Sequence, residues 1–464
     1  MMLSATEIAQ ATAGLLIADG PAGPIGTDTR RLSEGMWFLA LTGDRFDGHD
    51  YLPMAGAAGC AGVIAERVPD GWEHGFVQVA DGLTALQDLA RFVRARFTGP
   101  VVGITGSAGK TTTRALAALA LAPLGVIHAT EGNLNNHVGL PLTILAAPVD
   151  AAAWVVEMGM SGFGEIDLLQ DIAAPTIRVI TNAGAAHTEG VGDLDGVARA
   201  KGELFAGARP GDICILNADD TRIAALPIPE GARALRYGSQ LGCDVRLTDA
   251  VVEPTTMTTR YRIEVADEVV LGTLPTPGAH LASNAAAAVA IAVALHVPLA
   301  GMAARLAQYE PVGMRLRVEA GPMGTRVLND AYNANPLSTA ATLRTLATVP
   351  GRKVALLGDM LELGPGEIDA HVEVLRLALE LDVDLIGTAG PRYAAAGAEL
   401  SAATHAAGRP DTLHRWVAAQ DAEALAAAVA NRLQPGDTVL VKGSRGLAME
   451  RVLRTLSSLT GEEG

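Results

Sequence analysis

Apolar and polar positions follow different patterns in successive parts of the chain. In residues 1–98, short apolar runs such as GMWFLAL, AGVIAE and FVQVA precede the helical segment DGLTALQDLARFVRARF, which indicates alternating strands and helices. Thr98, Gly99 and Pro100 then interrupt the pattern. From Val101 onward, the apolar runs VVGITG, AWVVEMG and TIRVITN lie between helical segments, which is typical of buried parallel strands.

Two further changes of pattern complete the predicted fold. Residues 243–272 are more polar and rich in threonine, which favours antiparallel strands, and the apolar helix ASNAAAAVAIAVALH follows them. After Glu310 and Pro311, the strands TRVLND, KVALLGD, DLIGTAG and TVLVKGS alternate with alanine-rich helices. This last series suits a small dinucleotide-type sheet, although no G-x-G-x-x-G follows its first strand. We therefore predict an α/β protein with three domains, at residues 1–98, 99–312 and 313–464, the last of them Rossmann-like.

Length and composition narrow the class of protein. At 464 residues the chain exceeds what a single hydrophobic core usually holds. No stretch of about 18 uncharged apolar residues predicts a membrane span. The N-terminal segment lacks a basic leader and carries Glu7, so we expect a cytoplasmic protein. Cys60, Cys214 and Cys243 lack the paired spacing of a zinc site or disulfide framework, which predicts reduced thiols.

The charged residues indicate which partners to expect. A formal net charge of −16 without a basic run argues against nucleic acid, whereas an anionic small molecule stays compatible with a few focused arginines. Only four of the 35 Lys and Arg residues are lysine. Under such a bias, a lysine that served only as a positive surface charge would be replaced by arginine. We therefore expect the remaining lysines to be needed. An ammonium contacts phosphate as a compact charge, and a neutral amine reacts with carbon dioxide. The four are Lys110, Lys201, Lys353 and Lys442.

A glycine-rich loop lies between a predicted strand and a predicted helix, in VVGITGSAGKTTTRALAALALA. Gly106 and Gly109 allow the backbone N–H groups to turn toward phosphate oxygens, Lys110 can reach the β and γ phosphates, and Thr111 can place a hydroxyl on Mg²⁺. The strict G-x-x-x-x-G-K-[ST] pattern is not met, because position 104 is isoleucine. An ordinary strand-to-helix turn is the alternative. The predicted nucleotide loop comprises Gly106, Ser107, Ala108, Gly109, Lys110, Thr111 and Thr112.

Three other candidate residues follow neighbouring predicted strands or lie just beyond them. Glu157 ends AWVVE and offers the hard oxygen donor that Mg²⁺ prefers, and His187 follows TIRVITN in NAGAAHTEG. The alternatives are a solvated acidic residue and a structural histidine. Lys201 lies in the predicted helix DLDGVARAKGELFAGA. It is either a carbamate formed with carbon dioxide, able to ligate a metal, or an exposed lysine paired with Glu203 or Asp195.

Several strings together resemble the Mur ligases of peptidoglycan and cell-wall synthesis. They are GITGSAGKTTT, EGNLNNHVGLPLTIL, VVEMGMSGFGEIDLL, NAGAAHTEGVGDLDGVARAKGELF, PGAHLASNAAAAVA, LNDAYNANP, LLGDMLELG and VLVKGSRGLAME. DTRRLSEGMWFLALTGDRFDGHDYL, near the start, is similar to the uridine-nucleotide-binding domain of the family member that adds a D-alanyl-D-alanine dipeptide. The resemblance covers nearly the whole chain.

The resemblance implies roles for individual residues around ATP and two Mg²⁺ ions. Thr111 and Glu157 would hold one Mg²⁺, and His187 with a carbamylated Lys201 would support the second; Lys110 would act with them in catalysis. Contacts to ATP from outside the loop are implied for His280, Asn284, Arg315, Asp330 and Asn333. The nucleotide-substrate motif of the first domain corresponds to Thr29, Arg30, Arg45, Asp47, Gly48 and His49.

The implied reaction is ATP-dependent amide formation between UDP-N-acetylmuramoyl-tripeptide and D-alanyl-D-alanine through an acyl phosphate, in a monomer. Each domain would bring one substrate: the uridine nucleotide to the first, ATP to the P-loop domain at 99–312, and the dipeptide to the third, which would close over ATP. Two alternatives stay open. One is another Mur-type or folylpolyglutamate-type amide ligase, and the other is a regulatory P-loop ATPase.

Overall fold

The computed structural model describes residues 1–406 and 415–460, which form three large sheets with helices packed against them. These sheets lie in residues 15–78, 101–274 and 317–442, in the order of the three predicted parts. The predicted α/β class is confirmed. Within the described part of the chain, no helix combines the length and apolar character needed to cross a bilayer.

The first sheet has five strands in the order β1-β7-β6-β3-β2, and only β1 runs antiparallel to its neighbour. Trp37 is fully buried at its centre, and its indole N–H donates to the carbonyl of Pro21 at 2.9 Å. A Cβ at Gly62 would lie 2.5 Å from the Trp37 ring, so a glycine is needed beside it. The strands are β1 (Leu15–Ala18), β2 (Ile25–Gly26), β3 (Trp37–Leu39), β6 (Gly62–Ala65) and β7 (Gly75–Gln78), with a separate hairpin of β4 (Thr42–Gly43) and β5 (Phe46–Asp47). The helices are α1 (Ala5–Thr12), α2 (Leu52–Ala57) and α3 (Gly82–Arg96).

The central sheet has nine strands in the order β16-β15-β14-β13-β12-β11-β8-β10-β9. Strands β8 to β14 pair in parallel, and β14, β15 and β16 pair antiparallel, so the prediction for residues 243–272 is confirmed. The strands are β8 (Val101–Thr105), β9 (Ile127–Ala129), β10 (Ala153–Glu157), β11 (Ile177–Ile180), β12 (Ile213–Asn217), β13 (Arg233–Gly238), β14 (Val245–Glu253), β15 (Thr258–Val265) and β16 (Glu268–Leu274).

The helices of the central part cover both faces of this sheet or connect its strands. They are α4 (Lys110–Leu121), α5 (Gly139–Leu145), α6 (Glu165–Ala173), α7 (Thr188–Val191), α8 (Leu194–Ala206), α9 (Thr221–Ala224), α10 (Ala279–Ala294) and α11 (Met302–Leu306). Helix α10 is buried along most of its length and packs against α4. Its many alanines allow this close approach, which brings the N-terminal half of α10 to the glycine-rich loop before α4.

The third sheet has six strands in the order β17-β18-β22-β19-β20-β21, with all pairs parallel except β17 and β18. The strands are β17 (Arg317–Ala320), β18 (Arg326–Asp330), β19 (Lys353–Gly358), β20 (Leu385–Ala389), β21 (Trp416–Ala419) and β22 (Thr438–Lys442). The helices are α12 (Pro336–Thr348), α13 (Glu367–Glu380), α14 (Pro391–Ala406), α15 (Ala422–Val429) and α16 (Glu450–Thr460).

Buried apolar residues connect the three parts. One cluster includes Val102 and Ile104 of the central sheet together with Leu328 and Leu357 of the third. A second cluster joins the first and central sheets. The carboxyl ends of the central strands therefore face the third sheet across a short distance, and a cavity lies between them.

Candidate active site

A cavity of about 800 Å³ is lined by the carboxyl ends of the central strands and by the ends of β18 and β22. Most of the sequence-predicted nucleotide and metal residues meet here. Gly106 and Lys201 do not line it, although Gly106 begins the glycine-rich loop and Lys201 lies close enough to Lys110 to feel its charge. The predicted residues that do line the cavity are Ser107, Ala108, Gly109, Lys110, Thr111, Thr112, Glu157, His187, His280, Asn284, Arg315, Asp330 and Asn333.

The glycine-rich loop requires glycine at two positions. Gly106 has φ +150° and Gly109 has φ +82°, both in the region that favours glycine. A Cβ at Gly106 would lie 1.8 Å from Thr181 Oγ1, and one at Gly109 would lie 2.5 Å from Asn284 Oδ1. The Ala108 amide donates to Asn182 Oδ1 at 2.9 Å. The loop therefore packs tightly against the end of β11 and against α10, and the N-terminus of α4 faces the cavity.

Lys110 lies across the loop that it closes. Its ammonium donates to the carbonyl of Gly106 at 2.5 Å. Burial lowers the pKa of Lys110, the negative charge of Glu157 opposes this shift, and the positive charge of Arg315 adds to it. The lysine is thus held against the loop, where it lines the cavity.

Glu157, Thr111 and Arg114 form a buried polar group beside the loop. Glu157 ends β10 and is 1% exposed, and its Oε2 accepts a hydrogen bond from Thr111 Oγ1 at 3.1 Å. Arg114 Nε lies 3.1 Å from Glu157 Oε1, but neither atom has a hydrogen-bond partner among the described residues. A buried carboxylate oxygen with free acceptor capacity beside a hydroxyl suits a divalent cation. Sequence reasoning missed Arg114. Its position four residues after Lys110 predicts that both side chains lie on the same face of the helix, which could have identified it as a site residue.

His187 lies at the opposite wall and contacts the third part of the chain. Its Nδ1 lies in close contact with Oε2 of Glu362, from the GDMLELG segment. Thr188 Oγ1, next along the chain, donates to the carbonyl of Leu363 at 2.8 Å. Burial lowers the pKa of His187, Glu362 opposes this shift, and the charges of Lys110 and Lys201 add to it. Sequence analysis named the GDMLELG string but gave Glu362 no role.

Lys201 lies on α8, whose N-cap is Asp193. The alternative of an exposed lysine is wrong, because Lys201 is only 1% exposed. Its ammonium forms no hydrogen bond or ion pair within residues 1–406 and 415–460, and Glu203 instead accepts from the amides of Gly164 and Asp167. Burial, followed by the charge of Lys110, lowers the pKa of Lys201 well below its usual value.

The far wall of the cavity combines the start of α10 with the third sheet. The Arg315 guanidinium lies 3.7 Å above the Tyr332 ring. Asp330 Oδ1 accepts from the amide of Leu316 at 3.0 Å, and its Oδ2 accepts from Lys442 at 2.5 Å. Burial lowers the pKa of His280 to about 4, and the charge of Lys442 contributes.

The DAYNANP segment also contacts the glycine-rich loop directly. Asn335 caps α12, and its side-chain amide donates to the carbonyl of Ser107 at 3.2 Å. This bond joins residues 228 positions apart in the chain. Sequence reasoning missed Asn335 and left Lys442 unassigned, because neither pairing can be inferred from local spacing.

The predicted metal residues do not form a ready-made cluster of acidic and histidine ligands. No three His, Cys, Asp or Glu side chains within the described ranges come together as a metal site. Thr111 with Glu157, and His187 with Lys201, would therefore need phosphate or carbamate oxygens to complete a coordination shell.

The six first-domain candidates lie outside the cavity, on or next to two short turns. Arg30 is exposed and pairs with Asp28, while Asp47 accepts from the His49 amide at 2.9 Å and pairs with Arg67. Asp28 raises the pKa of Arg30, and Tyr51 is close enough to add a small contribution to this shift. The two turns are therefore neighbours. Thr29 and Arg30 lie on the first turn. Arg45 is exposed and precedes the second turn, which Asp47 caps and which contains Gly48 and His49.

Known proteins match this chain along nearly its whole length. Residues 104–292 match the Mur ligase middle domain, and residues 314–445 match the Mur ligase glutamate ligase domain. The UDP-N-acetylmuramoyl-tripeptide–D-alanyl-D-alanine ligase of Bacillus subtilis is 35% identical over 439 residues, covering 93% of this chain and 92% of the relative. The corresponding Escherichia coli ligase is 34% identical and covers 95% and 94%.

A solved structure with the same arrangement supports the match. Crystal structure I of MurF from Acinetobacter baumannii superposes with a TM-score of 0.89 at 30% identity, covering 99% of both chains. With this agreement in sequence, fold and cavity, the chain belongs to the Mur ligase family of ATP-dependent amide ligases.

Proposed function

We propose that this protein joins D-alanyl-D-alanine to UDP-N-acetylmuramoyl-tripeptide in the cytoplasmic synthesis of peptidoglycan precursors, cleaving ATP to ADP and phosphate. The supporting observation is the cavity in which the glycine-rich loop, Glu157 and His187 of the central part meet Arg315 and Asp330 of the third. The relatives that align over more than 90% of the chain carry this activity in their names.

The chemistry requires activation of a carboxylate, because an oxide is a poor leaving group. Transfer of the γ-phosphoryl group of ATP to the tripeptide carboxylate releases ADP and gives an acyl phosphate. The free amine of the dipeptide then attacks the acyl carbon, inorganic phosphate leaves, and the nitrogen loses a proton as the amide forms. Lys110 and the N–H groups of the loop would stabilise the charge on the transferring group.

Two Mg²⁺ ions would complete the site. Thr111 and Glu157 would hold one ion, and His187 with carbamylated Lys201 would hold the other. Bound there, such ions offset the repulsion between phosphate and carboxylate. The free acceptor atom of Glu157 supports the first assignment.

The surroundings of Lys201 support its carbamylation. Burial without an anionic partner lowers the pKa of the Lys201 amine and so favours the neutral form, which can react with carbon dioxide. The nitrogen then bonds to the carbon of carbon dioxide and loses one proton, which leaves an anionic carbamate. Such an anion would suit the positive surroundings created by Lys110.

The three parts of the monomer would each bring one substrate. The two turns with Thr29, Arg30 and Asp47, together with the neighbouring Arg45, Gly48 and His49, would bind the uridine nucleotide. His280, Asn284 and Asn333 would contact ATP with the loop, and the third part would bind the dipeptide and close over ATP.

A coupled ADP-release assay tests this function. ATP cleavage should require both UDP-N-acetylmuramoyl-tripeptide and D-alanyl-D-alanine, and the product should gain the mass of the dipeptide less water. Cleavage that is independent of an amine acceptor would favour a regulatory ATPase. Amide formation only with other acceptors, such as a single amino acid or glutamate on folate, would favour a different ligase of this fold.

A further inference from the structure

Lys442 is a buried lysine with two oxygen partners at the end of β22. Its side chain is 3% exposed, and its ammonium donates to Asp330 Oδ2 at 2.5 Å and to the carbonyl of Asn333 at 2.9 Å. Asp330 and Lys442 are paired residues at the carboxyl ends of two adjacent parallel strands, so their side chains start from the same end of the sheet. The sheet itself therefore directs the lysine to the start of the DAYNANP segment.

The residue type is informative because lysine is rare here. Four of 35 Lys and Arg residues are lysine, and Lys442 is one of these four. A compact ammonium can donate to a carboxylate and a carbonyl in one small space, whereas a planar guanidinium is larger and rigid. Burial raises the pKa of Asp330, and Lys442 opposes this shift by charge and hydrogen bond.

Asp330, the partner of Lys442, lines the same cavity as the glycine-rich loop. Asp330 and Lys442 line the cavity, and Asn335 of the same segment donates to the glycine-rich loop at Ser107. An ionised carboxylate accepts hydrogen bonds and repels phosphate, so the ribose hydroxyls are the suitable donors next to the triphosphate.

We propose that Lys442 is a positioning residue for ATP, which holds the Asp330 carboxylate in place as the acceptor for the ribose hydroxyls. It acts through Asp330 and touches neither phosphate nor the reacting carboxylate. This role rests on the proposed function, because it assumes that ATP binds in the central cavity.

The experiment measures ADP and 2′,3′-dideoxy-ADP binding to the full chain by calorimetry. In Lys442→Met, we expect the Kd for ADP to rise at least tenfold and the preference for ADP over the dideoxy analogue to fall toward one. Steady-state kinetics should show a larger change in the KM for ATP than in kcat. Lys353→Met is the matched control, since Lys353 lies at the amino end of β19, the strand next to β22, and does not line the cavity. Both measurements should equal those of the unmodified protein.

A double-mutant cycle separates positioning from a general loss of structure. In an Asp330→Asn background, Lys442→Met should change ADP affinity little, and the double variant should be more stable than Lys442→Met because no buried carboxylate is left unpaired. Lys442→Arg provides a second test if Lys442→Met fails to fold, and it should also lose ribose preference. Unchanged ribose preference in a folded Lys442 variant, or additive effects in the cycle, would overturn the role of Lys442. Absence of ADP binding by the unmodified protein would instead contradict the proposed function.

Discussion

Lys201 and Lys442 are both buried near the same cavity, but the surroundings of their ammonium groups differ. Lys442 donates to a carboxylate and a carbonyl, whereas Lys201 has no hydrogen-bond or ion-pair partner in the described ranges and lies near the charge of Lys110. Burial alone therefore does not decide how a lysine is used. A paired ammonium is suited to holding other groups in place, and an unpaired amine is suited to covalent chemistry.

Replacing Lys201 should give the largest effect. In Lys201→Ala, we expect turnover to fall by about 100-fold or more, since a charged group at the metal site is lost. Partial recovery in acetate or a bicarbonate-rich medium should follow, because a small anion can occupy the vacated space. Product formation over time measures both, and Lys353→Ala serves as the control. Full activity in Lys201→Ala would contradict the carbamate.

The free energy of unfolding should also differ between variants of these two lysines, and here the larger loss should come from replacing Lys442. Lys442→Met leaves a buried carboxylate unpaired and should lower the free energy of unfolding by about 3 kcal/mol. Lys201→Met removes an amine without a partner and should leave stability unchanged or slightly raised in a carbon-dioxide-free buffer. Denaturant unfolding curves measure both variants. Equal losses of stability would show that the two sites do not differ as described.

The contact between Glu362 and His187 should matter less than either lysine. Glu362 is more than half exposed, so replacing it with glutamine should cost about 0.2 to 1 kcal/mol, which corresponds to roughly a 1.4- to fivefold loss of turnover. Glu373→Gln, an exposed change on α13, is the control. A loss as large as that of Lys201→Ala would mean that Glu362 takes part in the chemistry directly.

The pKa of His280 should depend on the charge of Lys442, and this should give a small dependence of stability on pH. The pKa of His280 is about 4 in the folded protein, below its usual value of about 6.5, so the folded state binds fewer protons between these values. Its contribution to stability is complete above about pH 6.5 and is lost as the pH falls toward 4. NMR titration should show a higher His280 pKa in Lys442→Met, and an unchanged pKa would contradict a charged Lys442.

The sequence predicted features that depend on local patterns. The glycine-rich loop, the strand that ends at Glu157, and the helix that carries Lys201 all follow from short-range spacing. The pairing of Lys442 with Asp330 joins residues 112 positions apart, and the pairing of Asn335 with Ser107 joins residues 228 apart. The first pairing depends on the strand order within the third sheet, and the second depends on how the third sheet packs against the central one. Periodicity carries no information about either.

The most direct test follows the oxygen atoms of the acid that is activated. The peptide carboxylate of UDP-N-acetylmuramoyl-tripeptide is labelled with ¹⁸O, and the inorganic phosphate released during ligation is analysed by mass spectrometry. Transfer of the γ-phosphoryl group to that carboxylate predicts one ¹⁸O atom in phosphate for each amide formed. Unlabelled phosphate accompanying confirmed amide formation would contradict the account.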